Sequence, residues 1–249
     1  NKDGSLSTDK LNDTYRLSID DGRGSIDWDA FVDAPYFPSY AKIESAQEAY
    51  KSVLSDVGAN LPLSDDTDRR IIKETLERSY TYVGSKSGIR GEIDNEKDAG
   101  GYELYPEEMR PADFDTDLDG LPDWWEEING SNVNSAAGDY SDSHADNNND
   151  GFSTLEDYLA FMASPNKILK PGEVTDIDLK AMFAGYTQSP MYTVDDPQSI
   201  SHISGSKLTI AAPSQIGIYP ITLTVTDGDG ASYTRLLNIA VTQKEILNI

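Results

Sequence analysis

The chain has no cysteine among its 249 residues and only two histidines, His144 and His202. Disulfide frameworks, cysteine zinc sites and thiol nucleophiles are therefore excluded, and a site built from several histidines is excluded as well. No apolar run approaches the roughly 20 residues that a membrane-spanning helix needs. The sequence therefore predicts no membrane span.

Positive charge is also scarce, with 20 Lys and Arg against 44 Asp and Glu, which gives a formal net charge of −24. Such a surplus of acids argues against nucleic acid and anionic membranes as partners, because both favour Lys and Arg. Aromatic residues make up 9% of the chain, which is too many for a disordered acidic tail. The composition indicates a folded protein that attracts cations.

The most acidic stretch, residues 112–166, contains no Lys or Arg. Within it, the first acidic loop, "DTDLDGLPDWWE" at 115–126, has acids at loop positions 1, 3, 5, 9 and 12 and glycine at position 6. This is the spacing of a calcium-binding EF-hand loop, in which oxygens surround a hard cation. The predicted ligands are Asp115, Asp117, Asp119, the carbonyl of Leu121, Asp123 and Glu126. The alternative is a solvated acidic turn that caps the next helix.

A second acidic loop, "DNNNDGFSTLED" at 146–157, repeats this register. Its twelfth position is Asp, which is shorter than Glu and less suited to binding through both oxygens. We expect weaker calcium binding here, as in dockerin-type and thrombospondin-type-3-like loops. The predicted ligands are Asp146, Asn148, Asp150, the carbonyl of Phe152, Thr154 and Asp157. The alternative is an Asn-rich turn before a helix.

Three segments have helical patterns. "SAQEAYKSVLSDVGA" begins with the capping box Ser45/Glu48, and its apolar positions extend to Gly58, where we expect the helix to end. "DDTDRRIIKETLERS" predicts a second helix with a thin apolar stripe. "TLEDYLAFMAS" predicts a third, whose apolar residues would pack on the helix that carries the two tryptophans: Leu155, Tyr158, Leu159 and Met162.

The C-terminal part favours β-structure. "YPITLTVTD" and "ASYTRLLNIAVTQ" alternate apolar and polar residues on either side of "DGDG", which predicts a hairpin. Further short strands are expected near 192–194 and 208–211. Together they indicate a small β-sandwich of immunoglobulin-like or cadherin-like type. Asp227 and Asp229 in the turn are compatible with a calcium site between domains, although such a turn is more often only a hairpin.

The fold class that we expect is α+β with several modules. Residues 1–110 lack an obvious core and form an irregular and helical wrapping segment. Residues 111–168 form a paired calcium-loop module, similar to EF-hand or dockerin modules, whose folding depends on Ca²⁺. Residues 172–244 form the Ig/cadherin-like β-sandwich.

Several stretches together resemble the C-terminal region of secreted Bacteroidetes-type pectate lyases of polysaccharide lyase family 1. The stretches are "SAQEAYKSVLSDVGANLPLSDDTDRRIIKET", "GSKSGIRGEIDNEKDAGGY" and "DTDLDGLPDWWE". The similarity runs from about Phe31 to Pro165 and is specific in order and spacing. In that family these segments follow a parallel β-helix, and a β-sandwich tail can come after them.

The resemblance implies a parent activity, the calcium-dependent β-elimination of polygalacturonate, and a secreted, cell-surface or periplasmic location in a Gram-negative bacterium. It also implies an upstream or partner β-helix catalytic domain and pectin as a possible partner. No residue matches the catalytic part of the family, so no catalytic residue is assigned. Arg69, Arg70 and Arg90 lie in matching segments, where surface roles are the simpler interpretation.

Three functions follow from these features. The first is a non-catalytic, calcium-stabilised C-terminal part of a pectate lyase-like protein. The second is a chain that supplies sugar contacts to an active lyase through its aromatic residues: Trp28, Tyr36, Phe37, Tyr40 and Tyr102. The third is a calcium-dependent cell-surface adhesion or carbohydrate-binding module. We favour the first.

Overall fold

The computed structural model describes residues 42–58, 60–61, 64–105 and 109–246. It divides into two units, Asn1–Glu44 and Ser45–Ile249, and the fold below is that of the second unit. The aromatic residues predicted between Trp28 and Tyr40 lie outside the described residues.

Helix α1, Ala46–Asp56, begins at the predicted capping box, in which Ser45 and Glu48 satisfy each other's backbone N–H groups. It ends at Asp56, two residues before Gly58, because Val57 has already returned to extended backbone. The apolar stripe of α1 is only partly covered, since Tyr50 and Val53 are about half exposed. The residues of α1 that are buried are Lys51, Leu54 and Ser55.

Helix α2, Asp66–Glu77, is capped by Asp65 at its N-terminus and ends at Arg78, whose φ is 50°. None of its residues is buried. The strap that follows, residues 84–105, is folded around two carboxylates, those of Asp94 and Asp98. Asp94 Oδ2 accepts hydrogen bonds from the backbone N–H groups of Lys86 and Ser87, at 2.7 and 2.8 Å. A 3-10 turn, Glu96–Ala99, completes this part of the strap.

Helices α3, Asp123–Asn129, and α4, Thr154–Met162, follow the two acidic loops. A second capping box, Ser153/Glu156, begins α4. The ring of Phe161 lies 5.7 Å from that of Trp124 and 5.4 Å from that of Trp125, measured between ring centroids. Leu155, Tyr158 and Met162 join this cluster as predicted. Leu159 does not, because Phe161 takes the core-facing position and Leu159 is 55% exposed.

Seven strands and a short helix form the rest of the described residues. The strands are β1 Asn166–Leu169, β2 Val174–Asp178, β3 Met191–Asp195, β4 Ser201–Ser204, β5 Lys207–Ala211, β6 Gly217–Thr226 and β7 Ser232–Val241. The strand orders are β1-β7-β6-β3 in one sheet and β2-β5-β4 in the other. Helix α5, Leu179–Met182, follows β2. All pairs are antiparallel except β1 and β7.

The predicted hairpin and the two short strands are confirmed as β6–β7, β3 and β5. Alternation places Ile221, Leu223 and Val225 inside, each at most 1% exposed. Facing residues from β5 and β7 complete the core, together with Phe183. The described residues thus form a mixed α/β fold with five α-helices and two sheets of mostly antiparallel strands, compatible with a β-sandwich.

The helices that carry the acidic loops share an apolar cluster with the larger sheet. Ala240 of β7 is fully buried against Leu121, Trp124, Trp125 and Phe161. Ile168 of β1 and Ile218 of β6 pack on the same cluster. None of the helices in the described ranges combines the length and the hydrophobicity that a bilayer span requires.

Candidate metal centre

The first acidic loop brings its alternating carboxylates together. One oxygen of each of Asp115, Asp117 and Asp119 lies within 4.8 Å of the other two. The turn depends on Gly120, whose φ of 99° suits glycine. Leu118 also has a positive φ, 61°, which is uncommon for a leucine and persists where the surrounding structure determines the backbone.

Five buried carboxylate oxygens of this loop have no hydrogen-bond partner. They are Asp115 Oδ1, Asp117 Oδ1, Asp119 Oδ2 and both Oε atoms of Glu126. Glu126 is 0% exposed because α3 begins at Asp123 and carries it one turn into the protein. Buried polar atoms are normally satisfied, and leaving them unpaired is costly. A cation between the three aspartates would give their free oxygens a partner. Glu126 does not belong to this converging group, but it lies close enough for the charges of Asp117 and Asp119 to act on it.

The electrostatics of the site lead to the same conclusion. Burial, together with the charges of Asp117 and Asp119, raises the pKa of Glu126 to about 8. Burial likewise raises the pKa of Asp119. Carboxyl groups that are hard to ionise together are stabilised in their charged form by a cation placed between them.

The remaining oxygens of the three aspartates hold the loop in shape. Asp115 Oδ2 accepts the N–H of Gly120 at 3.2 Å, and Asp119 Oδ1 accepts that of Leu121 at 2.8 Å. Asp117 Oδ2 accepts the N–H of Ser135 at 2.8 Å. Each aspartate therefore uses one oxygen to shape the loop and leaves the other without a partner.

Asp123 has a different environment from the other predicted ligands. Its Oδ1 accepts the N–H of Thr116 at 2.8 Å, and its Oδ2 accepts the Thr116 hydroxyl at 2.9 Å and the Lys244 ammonium at 3.1 Å. Burial alone would raise the pKa of Asp123, but these hydrogen bonds outweigh burial and lower it. Asp123 thus closes the loop, and its role as a metal ligand stays a prediction.

Sequence reasoning missed the segment after α3 that flanks the loop. Besides donating from Ser135, this segment places Asp142 near the site, since its charge helps to raise the pKa of Asp119. Asp142 Oδ2 is itself held by the N–H of Asn132, at 2.8 Å. The only signal in the sequence is a run of short polar residues, which does not specify a partner.

The second acidic loop is closed by its own hydrogen bonds. Asp146 accepts the N–H groups of Asp150 and Gly151, each at 3.1 Å. The Asn148 amide donates to Asp150 at 3.0 Å and to Asp157 at 3.3 Å. Burial and the charges of Asp150 and Asp146 raise the pKa of Asp157. The loop is formed, and it is more exposed than the first.

The other predicted ligands of the second loop are placed differently. The Thr154 hydroxyl donates to the carbonyl of Ala145 at 3.0 Å, and Phe152 is 57% exposed. Among the described residues, the one group of three acids that converges closely enough for a metal is that of the first loop. The ligand set of the second loop therefore stays a prediction.

The acids of the "DGDG" turn bind a cation that the protein supplies. The Lys51 ammonium lies 2.6 Å from Asp227 Oδ2 and 2.7 Å from Asp229 Oδ2, and Lys51 is 5% exposed. Burial would lower the pKa of Lys51, but both carboxylates raise it above its ordinary value. The turn is thus a hairpin whose acids fasten α1.

No family model and no curated protein sequence matches the chain. Among solved structures, the chain is similar to a nucleoside hydrolase-related hypothetical protein from Saccharophagus degradans, described as associated with carbohydrate metabolism. The identity is 17%, the match covers 32% of this chain and 23% of that chain, and the TM-score is 0.25.

Two other matches extend over almost the whole length of a small solved structure. The PKD domain from the KIAA 1837 protein is 22% identical, with 35% of this chain and 89% of that chain covered and a TM-score of 0.26. CopC from Methylosinus trichosporium OB3b is 16% identical, with 34% and 92% covered and a TM-score of 0.23. TM-scores this low carry no argument about fold or function.

Proposed function

We propose that the first acidic loop is a structural calcium site and that it stabilises the loop–helix region on the larger sheet. The observation that carries this proposal is Glu126, a fully buried carboxylate with no hydrogen-bond partner, which lies beyond three converging aspartates. Without a cation, this arrangement is electrostatically unfavourable.

Calcium is the cation that fits the donors best. The predicted ligands are oxygens only, and Ca²⁺ takes six to eight oxygens in a flexible shell. Mg²⁺ demands a nearly ideal octahedron and keeps several waters, which suits a fully buried glutamate less well. Zinc prefers nitrogen and sulfur donors, which the described residues around this loop lack.

The site stabilises structure and does not transmit a signal. A sensor opens a Met-rich groove between its helices when calcium binds. Here α3 and α4 carry one methionine, Met162, and bury a joint aromatic cluster against β7. Opening that cluster would expose both tryptophans to water. A closed module of this kind gains folding free energy from its metal.

On the scale of the protein, we infer that this chain is a non-catalytic part of a secreted, pectate lyase-like protein that acts on polysaccharide. Support comes from the order of the helix pair, the strap, the calcium loop and the two-sheet region, which resembles that family's C-terminal part. The activity would be supplied by a β-helix domain, and calcium would keep this part folded outside the cell.

The test is a thermal melt of the metal-stripped chain with added CaCl₂, with MgCl₂ at the same ionic strength as the control. A calcium concentration a hundred times the Kd should add about 2.7 kcal/mol and raise the Tm by about 5–10 °C. An equal rise with magnesium, or none with either ion, would overturn the proposal. The Asp117→Asn variant should lose most of the rise, whereas Asp113→Asn, just outside the loop, should keep it.

A further inference from the structure

The ammonium of Lys51 has more carboxylates around it than an ion pair requires. It contacts both Asp227 and Asp229, and we call these three residues the Lys51 triad. The side chains of Lys51 and Asp227 are buried, whereas that of Asp229 is 39% exposed. The triad therefore holds an amine against one buried carboxyl group, with a second, hydrated carboxylate in contact with the same nitrogen.

The two buried members of the triad are close enough to react. Lys51 Nζ lies 2.6 Å from Asp227 Oδ2, and a C–O bond of about 1.2 Å then places Nζ at most about 3.8 Å from the carboxyl carbon. Reacting atoms approach to about 3–3.5 Å in productive geometries, so at most a small movement is needed. Because both groups belong to one folded chain, their effective concentration is very high.

The other oxygen of Asp227 has a donor that suits a reaction intermediate. Asp227 Oδ1 accepts the backbone N–H of Gln188 at 2.7 Å. Attack at the carboxyl carbon would place negative charge on Oδ1, where this N–H stabilises it. The donor is fixed in place, because the N–H of Gly228 donates to the carbonyl of Gln188 at 2.7 Å. Oδ2, on the side of the lysine, is thus the oxygen that would leave.

Asp229 is positioned to carry a proton between these atoms. Its Oδ2 lies 2.7 Å from Lys51 Nζ, and its Oδ1 accepts the N–H of Ala231 at 3.1 Å, which orients the carboxylate. Burial would lower the pKa of Lys51, but the two carboxylates raise it above its ordinary value. The ion pair is therefore the resting form, and its conversion into an amine and a carboxylic acid is uphill. A reaction from that neutral pair would be slow and would follow folding.

Aromatic rings cover the triad on its inner side. Tyr186 is buried, and its ring centroid lies 5.8 Å from Lys51 Nζ. The rings of Phe183 and Tyr233 lie 6.4 and 6.3 Å from that of Tyr186. Burying separate charges is costly, so replacing a buried ammonium and carboxylate by a neutral amide relieves that cost. The same rings keep out the water that would hydrolyse the amide.

We propose that Lys51 and Asp227 condense into an intramolecular amide, which joins α1 covalently to the turn between β6 and β7. The ammonium first gives one proton to Asp227 Oδ2. The Nζ lone pair then attacks the carboxyl carbon, and Asp229 takes a second proton from Nζ as the C–N bond forms. Asp229 returns this proton to Oδ2, the C–O bond breaks and water leaves. The two opposite charges cancel, and Asp229 ends unchanged.

The amide would change the chain's connectivity and would not depend on the calcium proposal. Residues 51–227, which include both acidic loops, would form a closed ring that stays joined when the protein unfolds. A cross-link over so long a loop restricts the unfolded chain and thereby stabilises the folded one. Chains that have not yet condensed keep the ion pairs of the triad.

The experiment is intact-mass spectrometry of the denatured full-length chain, sampled from purification through several days of incubation, followed by a tryptic digest. The wild type should lose the mass of one water, and the digest should contain a branched peptide that joins Lys51 to Asp227, with no cleavage after Lys51. The matched control is Lys51→Arg, which keeps the positive charge but offers no amine that condenses, and it should keep its full mass. Asp229→Asn should condense about a hundredfold more slowly, the loss expected for one general acid–base group.

The other outcomes are as decisive. Full mass in the wild type after the longest incubation would overturn the proposal. A loss of water that persists in Lys51→Arg would also overturn it, because a succinimide at Asp227–Gly228 loses water without any lysine. A branched peptide that joined Lys51 to Asp229 would overturn the choice of acid. Equal rates in Asp229→Asn and the wild type would overturn the role of Asp229. Condensation should proceed in EDTA as in calcium, so its failure and that of the calcium site are separate results.

Discussion

At the scale of single residues, Glu126 has two ways to avoid an unfavourable buried charge: it can hold a proton or contact a cation. Its pKa is about 8 without a metal, against an ordinary value of 4.5. Around neutral pH the metal-free folded chain therefore holds a proton that the unfolded chain has released. Calcium binding should expel that proton, so calcium affinity should rise with pH.

The first prediction is a pH dependence of the metal-free chain. Between about 4.5 and 8, the folded state binds the Glu126 proton more tightly than the unfolded state does. The free energy of unfolding should therefore fall as the pH rises through this window. Urea unfolding in EDTA at several pH values measures it, and the Glu126 contribution is the difference between the wild type and Glu126→Gln.

The same variant should respond in opposite ways with and without metal. In EDTA at pH 8, Glu126→Gln should be more stable than the wild type, because it removes a buried charge. Its calcium affinity should fall by at least about tenfold, since mutation of the groups that merely support a metal ligand already costs about tenfold in affinity. Asp113→Asn, at an exposed acid just outside the loop, is the control. A variant that bound calcium as the wild type does would exclude Glu126 as a ligand.

At the scale of elements, α1 is fastened by polar contacts and leaves apolar residues outside. Besides the Lys51 ion pairs, Arg235 of β7 lies 2.6 Å from Asp56 and donates to the carbonyl of Ser55 at 3.0 Å. Gly185 lies so close to the Lys51 carbonyl that a Cβ atom would clash with it. These contacts fix the position of α1 on the two-sheet region.

The second prediction concerns the Lys51 ion pairs. Lys51→Met leaves the buried Asp227 without its cation and should lower the free energy of unfolding by about 3 kcal/mol. Denaturant unfolding measures the loss, with Lys73→Met, an exposed lysine on α2, as the control. If both variants lost equally little, the ion pairs would contribute no stability. The double variant Lys51→Met with Asp227→Asn should recover part of the loss.

Local patterns predicted much of the architecture, and long-range contacts account for what they missed. The capping box Ser45/Glu48 and the alternation of β6 depend on neighbours within a few residues, so the sequence alone was enough. Lys51 was not identified because its partner is 176 residues away. With Lys51 buried against the turn, Tyr50 and Val53 of the same helix are about half exposed. The spacing of the acids predicted the first acidic loop. It could not predict the contact of Asp123 with Lys244, because the two residues lie 121 positions apart.

At the scale of the whole molecule, an apolar cluster and the two ion pairs of Lys244 join the region of the first acidic loop to the sheets. Lys244, just after β7, lies 3.1 Å from Asp123 and 3.6 Å from Glu127. Ala240 of β7 lies in the cluster that holds both tryptophans. Loss of the metal should therefore affect the larger sheet as well as the loop.

The third prediction follows from this connection. In saturating calcium, tryptophan fluorescence and far-UV circular dichroism should report one transition at the same temperature. In EDTA the fluorescence transition should occur at a lower temperature than the circular dichroism transition. Lys244→Met should separate the two transitions even in calcium, and Lys180→Met, at a cation with no described ion pair, should not. Coincident transitions in all samples would mean that Lys244 does not couple the two parts.

The parallel pairing of β1 with β7 has a mechanical consequence. Asn166 lies opposite Asn238 and Leu169 opposite Val241, so both strands run in the same direction. Tension that drew β7 forward from its C-terminal end while holding β1 at its beginning would load their hydrogen bonds in shear, all at once. A hairpin pulled open from its ends breaks its bonds one after another. This strand pair would therefore resist extension in flow or on a tether better than its length suggests.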